Sequence, residues 1–172
     1  GAPNTAPDVS NVMLGPTGAT TSSTLTLSYT YTDQDNDPES GTQIQWFKDD
    51  VEQTSLQGLT VSSSLTSKGQ AWKAIVTPSD GSDSGTPMTS NILAIANSIP
   101  TLTAPEIQPT TPTTDDDLSF SSTTNDDDTD PVHFDTRWFL DGVLISELND
   151  METLPAYVTR DGDSWVVSER KS

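Results

Sequence analysis

The clearest alternation of apolar and polar positions lies in residues 23–32, where the sequence reads STLTLSYTYT. Four large side chains, Leu25, Leu27, Tyr29 and Tyr31, fall on one face, and Thr and Ser fill the other. Because successive side chains of a strand point to opposite faces, this period of two predicts a half-buried β-strand. No long segment places apolar residues at i, i+3, i+4 and i+7, so the pattern predicts no amphipathic helix.

Other short segments rich in Thr, Ser, Val and aromatic residues are separated by Gly, Pro and Asp turns, which indicates an all-β fold. The predicted strands of the first half cover residues 8–14, 23–32, 42–49, 58–66, 70–78 and 87–96. Those of the second half cover residues 101–107, 117–124, 133–140, 143–147, 153–159 and 164–170. Short strands in this number, with a Trp on the third, favour an immunoglobulin-like sandwich.

The four Trp residues are predicted to lie in the core. Trp46 and Trp138 fall on the third strand, and Trp72 and Trp165 open the penultimate strand. Aromatic side chains supply the largest buried area available to a protein without Cys. Stacking against a carbohydrate is the alternative use of such rings.

An internal repeat with a period of about 93 residues organises the chain. Leu25 matches Leu118, and WFKDDV at 46–51 matches WFLDGV at 138–143. LTSKGQAW at 65–72 likewise matches VTRDGDSW at 158–165. This register predicts two tandem domains, residues 1–96 and 97–172.

The second copy stops before a counterpart of residues 80–96, so the second domain is predicted to lack its final strand. Two explanations remain open. In the first, which is favoured because short edge strands can be tolerated, the chain is truncated near Arg170 and Lys171 or domain 2 ends in an alternative terminal edge. Alternatively, a partner or a neighbouring subunit donates the strand to domain 2.

These motifs resemble the Ig-like repeats, related to the PKD and cadherin-like groups, of large secreted or surface proteins of bacteria. The shared features are the D-x-D-x-D loop, the W-x-x-(D/N)-G hairpin, the G-x-x-W strand start and the P-x-D-G turn. The hairpin keeps its Gly at Gly142, whereas Asp50 replaces it in the first copy. The resemblance implies a sandwich fold at the cell surface or outside the cell, and it implies no particular activity.

Composition narrows the choice of partner. The formal net charge is −19, and no basic patch is available to neutralise phosphates, so we expect no nucleic acid partner. The longest apolar run, ILAIA at 92–96, is too short to span a membrane, and we expect no insertion. The absence of Cys excludes disulfides and thiolate chemistry.

Asp residues at alternate positions of two loops are candidate Ca²⁺ ligands, because Ca²⁺ prefers six to eight hard oxygen atoms. In a sandwich, the loop 33–41 lies at the same end as the loop 80–85, and the loop 126–132 would lie at the joint between the domains, where a cation would stiffen it. The predicted ligands are Asp33, Asp35, Asp37, Asp80, Asp83, Asp126, Asp128 and Asp130.

An EF-hand is excluded at both loops, because Pro38 and Pro131 stand where that loop requires Gly, and Ile44 and Arg137 stand where it requires Glu. The alternative to a metal site is an acidic turn in which Asp and Asn bond to their own backbone. The run Asp115–Asp117 is predicted to be a solvated loop.

No catalytic constellation is predicted. His133 is the one His, and no Ser lies in a G-x-S-x-G elbow. The sequence therefore favours a non-catalytic spacer or fibre segment of an extracellular surface protein, whose partners are neighbouring domains of a longer chain or neighbouring subunits. The alternatives are an adhesin or a glycan- or protein-binding module, and an accessory domain of a secreted hydrolase.

Overall fold

The computed structural model describes the chain from residue 3 to residue 171, with side chains up to residue 170. Its strands pair antiparallel, and the helical segments described are three-residue 3₁₀ turns, so the all-β prediction is confirmed. The chain divides into two compact units, Gly1–Ser98 (unit 1) and Ile99–Ser172 (unit 2). The sequence placed this boundary between Ala96 and Asn97.

Unit 1 has eight strands among its described residues. They are β1 (Asp8–Gly15), β2 (Leu25–Thr32), β3 (Gln43–Lys48), β4 (Val51–Glu52), β5 (Thr60–Val61), β6 (Ala71–Thr77), β7 (Met88–Thr89) and β8 (Leu93–Ala94). One sheet has the order β1-β2-β5. The other has the order β4-β3-β6-β7, with β8 also on β6.

The core of unit 1 lies between these two sheets. Leu25 and Leu27 come from the first sheet and Trp46, Trp72 and Val76 from the second, and all five are almost fully buried. The alternation seen in the sequence of β2 therefore does select the core face, because its Leu residues point inward while its Thr residues stay exposed. The rings of Trp46 and Trp72 meet edge to face, with centroids 6.5 Å apart.

Unit 2 is built from shorter strands. They are β9 (Thr101–Leu102), β10 (Glu106–Gln108), β11 (Leu118–Ser121), β12 (Thr124–Asn125), β13 (Phe134–Leu140), β14 (Val143–Leu144), β15 (Thr153–Leu154) and β16 (Trp165–Lys171). The sheets have the orders β10-β11-β15, β12-β9 and β14-β13-β16. The core centres on Trp138, with Leu118, Leu148, Leu154 and Val167 around it.

Pairings in the two units match at the spacing found in the sequence. Leu25 pairs with Val61, as Leu118 does with Leu154. On the other sheet, Trp46 pairs with Ala74 and Trp138 pairs with Val167. The indole N–H of each of these Trp residues donates to a backbone carbonyl, that of Gly58 in unit 1 and that of Met151 in unit 2.

Several predicted strands are shorter than the sequence suggested. The segment 58–66 is a strand only at β5, because the Ser62 hydroxyl caps a 3₁₀ turn and accepts the Ser64 N–H at 3.3 Å. In the segment 153–159, Pro155 has no N–H to pair, and a 3₁₀ turn follows it. The Ser62 hydroxyl and Pro155 thus favour 3₁₀ turns over strand pairing, and this shortens the predicted strands.

The predicted strand 87–96 divides into β7 and β8 because of Asn91. Its side-chain oxygen accepts the Leu14 N–H at 2.7 Å, and its amide donates to the Leu14 carbonyl at 3.1 Å. The side chain therefore takes the place of a strand partner for β1 and interrupts the pairing with β6.

Candidate metal centre

The first acidic loop is closed by one carboxylate. It follows β2, and Oδ1 of Asp33 accepts the N–H groups of Asp35 at 2.7 Å and of Asp37 at 3.1 Å. The carbonyl of Asp33 accepts the Asn36 N–H at 3.3 Å. Asn36 has φ +61°, a left-handed conformation that Asn tolerates better than most residues. The loop thus folds around Asp33 as an Asx turn.

The second acidic loop repeats this geometry after β12. Oδ1 of Asp126 accepts the N–H groups of Asp128 at 2.8 Å and of Asp130 at 3.1 Å. The carbonyl of Asp126 accepts the Thr129 N–H at 3.2 Å. Thr129 has φ +58°, which is strained for a β-branched residue. The loop therefore keeps a backbone conformation that Thr129 by itself disfavours.

The second carboxylate oxygen of Asp33 and that of Asp126 have a different environment. Oδ2 of Asp33 and Oδ2 of Asp126 are buried and have no hydrogen-bond partner. A buried acceptor without a donor costs free energy, and the cost is larger when the acceptor is charged. The same atom is thus left unsatisfied in the same place of both units.

Each of these oxygens belongs to a group of three carboxylates. Oxygen atoms of Asp33, Asp35 and Asp37 lie within 4.8 Å of one another, and so do oxygen atoms of Asp126, Asp128 and Asp130. Two ligands that share one Ca²⁺ at 2.3–2.6 Å are at most about 5 Å apart. The donor set and its spacing therefore fit a single Ca²⁺ in each loop.

Asp80 and Asp83 lie outside the group of three. They are predicted from the sequence as ligands at the same end as the first loop, and in the structure both accept hydrogen bonds from the Asn4 amide, at 2.9 and 2.8 Å. Oδ1 of Asp80 also accepts the N–H groups of Ser82 and Asp83. The Asp83 N–H first, and then the Asn4 amide, hold the pKa of Asp80 below its ordinary value.

The two loops of unit 1 are nevertheless at one end of that unit. Thr5, the neighbour of Asn4, donates its N–H to Oδ2 of Asp35 at 2.7 Å, and Ser40 bridges to Asp80. The segment that contains Asn4 and Thr5 therefore bonds to both sets of carboxylates and connects them. No local sequence pattern indicates this role of Asn4.

Two tyrosines at this end of unit 1 have raised pKa values. The Tyr29 hydroxyl donates to Glu39 at 2.7 Å, and burial together with that carboxylate raises the pKa of Tyr29 to about 12. Desolvation, followed by the charges of Asp33 and Asp80, also raises the pKa of Tyr31. Burial is the largest cause of both pKa shifts, and the neighbouring carboxylates act in the same direction.

The acidic run Asp115–Asp117 forms turns instead of a metal group. Asp116 accepts both the N–H and the hydroxyl of Thr113, at 2.8 and 2.7 Å, and these bonds lower its pKa. Asp117 accepts the Ala156 N–H at 2.8 Å. Asp116 thus closes a local turn, and Asp117 ties the run to Ala156 elsewhere in unit 2.

His133 lies just before β13 and is exposed. It lines an open cavity of about 450 Å³ in unit 2 together with Asp150, Glu152 and Glu169, residues that the sequence spacing does not bring together. Oε2 of Glu169 is buried there and has no hydrogen-bond partner.

Comparison of the chain with models of protein families gave no match, and comparison with curated proteins gave none either. Among residues 3–171, no helix has the length and apolar character needed to cross a membrane.

Proposed function

We propose that the chain is a non-catalytic, calcium-binding spacer or fibre segment of an extracellular surface protein, built from two tandem immunoglobulin-like domains. The observation that carries this proposal is the pair of buried oxygens, Asp33 Oδ2 and Asp126 Oδ2, that recur without a hydrogen-bond partner in equivalent loops. A turn alone needs only the Oδ1 atoms, which already accept two N–H groups each.

The ligands in unit 1 would be Asp33, Asp35 and Asp37, and those in unit 2 would be Asp126, Asp128 and Asp130. Backbone carbonyls and water would complete the six to eight oxygens that Ca²⁺ prefers. The ion would neutralise charges that otherwise repel one another and would tie each loop to the strands beside it. Open acidic loops of this kind bind Ca²⁺ at roughly 10⁻⁴–10⁻³ M, which suits concentrations outside the cell.

The remaining parts of the proposal rest on composition and on the resemblance of the repeats. A net charge of −19 disfavours nucleic acid and anionic membrane surfaces as partners. The matched strand pairings of the two units support a tandem arrangement of one module, and such modules connect neighbouring domains or subunits. Location at the cell surface follows from the resemblance.

Calcium is expected to raise the melting temperature, and EDTA is expected to lower it. At about 10 mM Ca²⁺ and a Kd near 1 mM, mass action predicts a shift on the order of 5–10 °C for a domain of this size. Asp33→Asn should remove the shift from the unfolding of unit 1, and Asp126→Asn should remove it from the unfolding of unit 2. Calorimetry in low-calcium buffer measures both effects.

Asp127→Asn is the matched control, because it removes the same charge from the same loop but lies outside the group of three. It should keep the calcium response. A wild-type melting curve that calcium leaves unchanged would refute the metal site, and so would equal responses in Asp126→Asn and Asp127→Asn.

A glycan array separates the spacer from an adhesin. Because the aromatic side chains lie mainly on strands and the largest of them are buried, the isolated chain is expected to bind no glycan above background. Reproducible binding to one class of glycan would contradict the spacer function and indicate a binding module instead.

A further inference from the structure

Polar side chains line the cavity of about 450 Å³ in unit 2 at positions where unit 1 has core side chains. Glu169 on β16 pairs with Thr136 on β13, and both residues line the cavity. The equivalent pair in unit 1 is Val76 with Ile44, and Val76 is fully buried while Ile44 packs against the core. Unit 2 therefore has a carboxylate and a hydroxyl where unit 1 has two apolar side chains.

A third difference between the units lies beside this pair. Ser122 lines the cavity at the position that Tyr29 occupies in unit 1, at the spacing of the repeat. The Tyr29 side chain packs against the core of unit 1, and its hydroxyl donates to Glu39. A serine side chain is too small to fill the same volume. Three differences at matched positions within unit 2 thus account for the cavity.

The carboxylate of Glu169 is costly for the fold when nothing binds to it. Its Oε2 is buried and has no hydrogen-bond partner. A buried charge without a partner destabilises a domain, whereas the valine of unit 1 carries no such cost. Asp150 and Glu152 line the same cavity from exposed positions and add two further carboxylates. The cavity therefore attracts a positively charged ligand.

The lining favours an organic cation over a metal ion. Among residues 3–171, the only groups of three metal-ligating side chains that converge are the two Asp groups of the acidic loops, so the carboxylates of this cavity are too dispersed to share one ion. Oδ1 of Asp150 already accepts the Thr136 N–H at 3.1 Å. Phe120 and Phe134 supply aromatic surface in the same lining, which suits an alkyl chain and the face-on approach of an ammonium group.

We propose that unit 2 binds a primary alkylammonium ion in this cavity, with the ammonium group at Oε2 of Glu169 and the alkyl chain against Phe120 and Phe134. An ammonium group has three N–H donors, which suits a lining that contains three carboxylates. Hydrogen bonds between two charged groups are stronger than neutral ones. The ligand is a free alkylamine or a lysine side chain, since both present this group on an apolar stem.

The test is a titration of the whole chain with n-pentylamine, followed by the backbone amide chemical shifts. The amides of Thr136 and Glu169 are expected to shift and to saturate with a Kd on the order of 1 mM, as is usual for so small a ligand. The amides of Ile44 and Val76, the equivalent pair of unit 1, serve as the internal reference. 1-Pentanol has the same chain without the charge and should bind at least about tenfold more weakly.

Substitutions locate the site. Glu169→Gln is expected to raise the Kd of pentylamine by about tenfold or more, because the ammonium group loses a charged acceptor. Glu147→Gln is the matched control, since it removes the same charge from an exposed position of unit 2 outside the cavity, and it should bind like the wild type. Ser122→Tyr introduces the side chain that unit 1 has at this position and should abolish binding. None of these changes alters an acidic loop, so the result is independent of the proposed calcium sites.

The stability of unit 2 without ligand gives a second measurement. Glu169→Val places the residue of unit 1 at this position and removes the unpaired charge. It is expected to abolish binding and to raise the melting temperature of unit 2 by about 4 °C or more. A lowered melting temperature in this variant would show that the carboxylate serves the fold, and it would contradict the proposal.

Nα-acetyl-lysine methylamide distinguishes the two sources of the ammonium group. If it binds at Thr136 and Glu169 and loses affinity in Glu169→Gln, the site is supported and the ligand is a lysine side chain. Binding of pentylamine alone supports the site and assigns it to a free amine. Unchanged shifts of both amides with both compounds, far above the expected Kd, would overturn the proposal. Equal affinities of Glu169→Gln and Glu147→Gln would also overturn it, because they would show only a general attraction to a chain of net charge −19.

Discussion

Trp138→Ala is expected to unfold unit 2. Trp138 is fully buried, and its ring meets Phe120 and Trp165 edge to face at 6.0 and 6.4 Å. Its loss costs about 3–5 kcal/mol, and the Met151 carbonyl, which loses the indole donor at 2.9 Å, adds about 1 kcal/mol. A unit of this size has roughly 4–10 kcal/mol of stability in total. The calorimetric transition and the near-ultraviolet circular dichroism of unit 2 should both disappear.

Trp46→Ala is the matched comparison. The same ring is lost, but the described core of unit 1 contains many more buried residues than that of unit 2 and is closed by Leu93 and Ile95. Unit 1 should therefore stay folded with a lowered melting temperature. Trp138→Phe keeps most of the ring and loses the N–H, so it should destabilise unit 2 far less than Ala does. A cooperative transition of unit 2 retained in Trp138→Ala would contradict this account of the core.

Gly85→Ala is expected to destabilise unit 1 by about 3 kcal/mol or more, since overpacking against backbone leaves no flexible atom to yield. A Cβ at Gly85 would lie 1.7 Å from the Pro7 carbonyl oxygen and 2.9 Å from Pro78 Cγ. Pro7 and Pro78 are themselves almost fully buried, so relief requires separation of the N-terminal segment from the loop before β7. Denaturant unfolding followed by Trp fluorescence measures the loss.

Gly58→Ala is the control for that substitution, because a Cβ there meets no atom within 4 Å. Its effect should stay within about 0.5 kcal/mol. The N-terminal segment displaced by Gly85→Ala also contains Thr5, which holds Asp35. Gly85→Ala should therefore weaken the calcium response of unit 1 while that of unit 2 is preserved. Equal stability of the two glycine variants would show that the contact with Pro7 does not constrain the fold.

In the proposed calcium site, the acidic loops would combine two roles that the sequence presents as alternatives. Oδ1 of Asp33 fixes an Asx turn, while Oδ2 of the same carboxylate is buried and lacks a donor. Turn formation and the proposed cation binding would therefore use different atoms of one side chain. The turn orders the loop before any ion binds, which reduces the entropy lost on binding.

The candidate site was partly predictable from the sequence. The alternating Asp residues identified both groups of three, because short spacing in one loop keeps ligands close whatever the rest of the fold does. The contact of Asp80 and Asp83 with Asn4 was not predictable, because Asn4 is distant in sequence and donates to both. A contact between residues so far apart in the chain produces no local sequence pattern.

By itself, the sequence determined the all-β fold, the inward face of β2, the matched acidic loops and the Trp that centres each core. These features follow from the period of strands and from turn chemistry, which act over a few residues. Only the tertiary structure decided that Trp72 is buried while Trp165, in the same G-x-x-W motif, remains half-exposed. The burial of a side chain depends on what packs over it, and residues 93–96 cover Trp72 from more than twenty positions away.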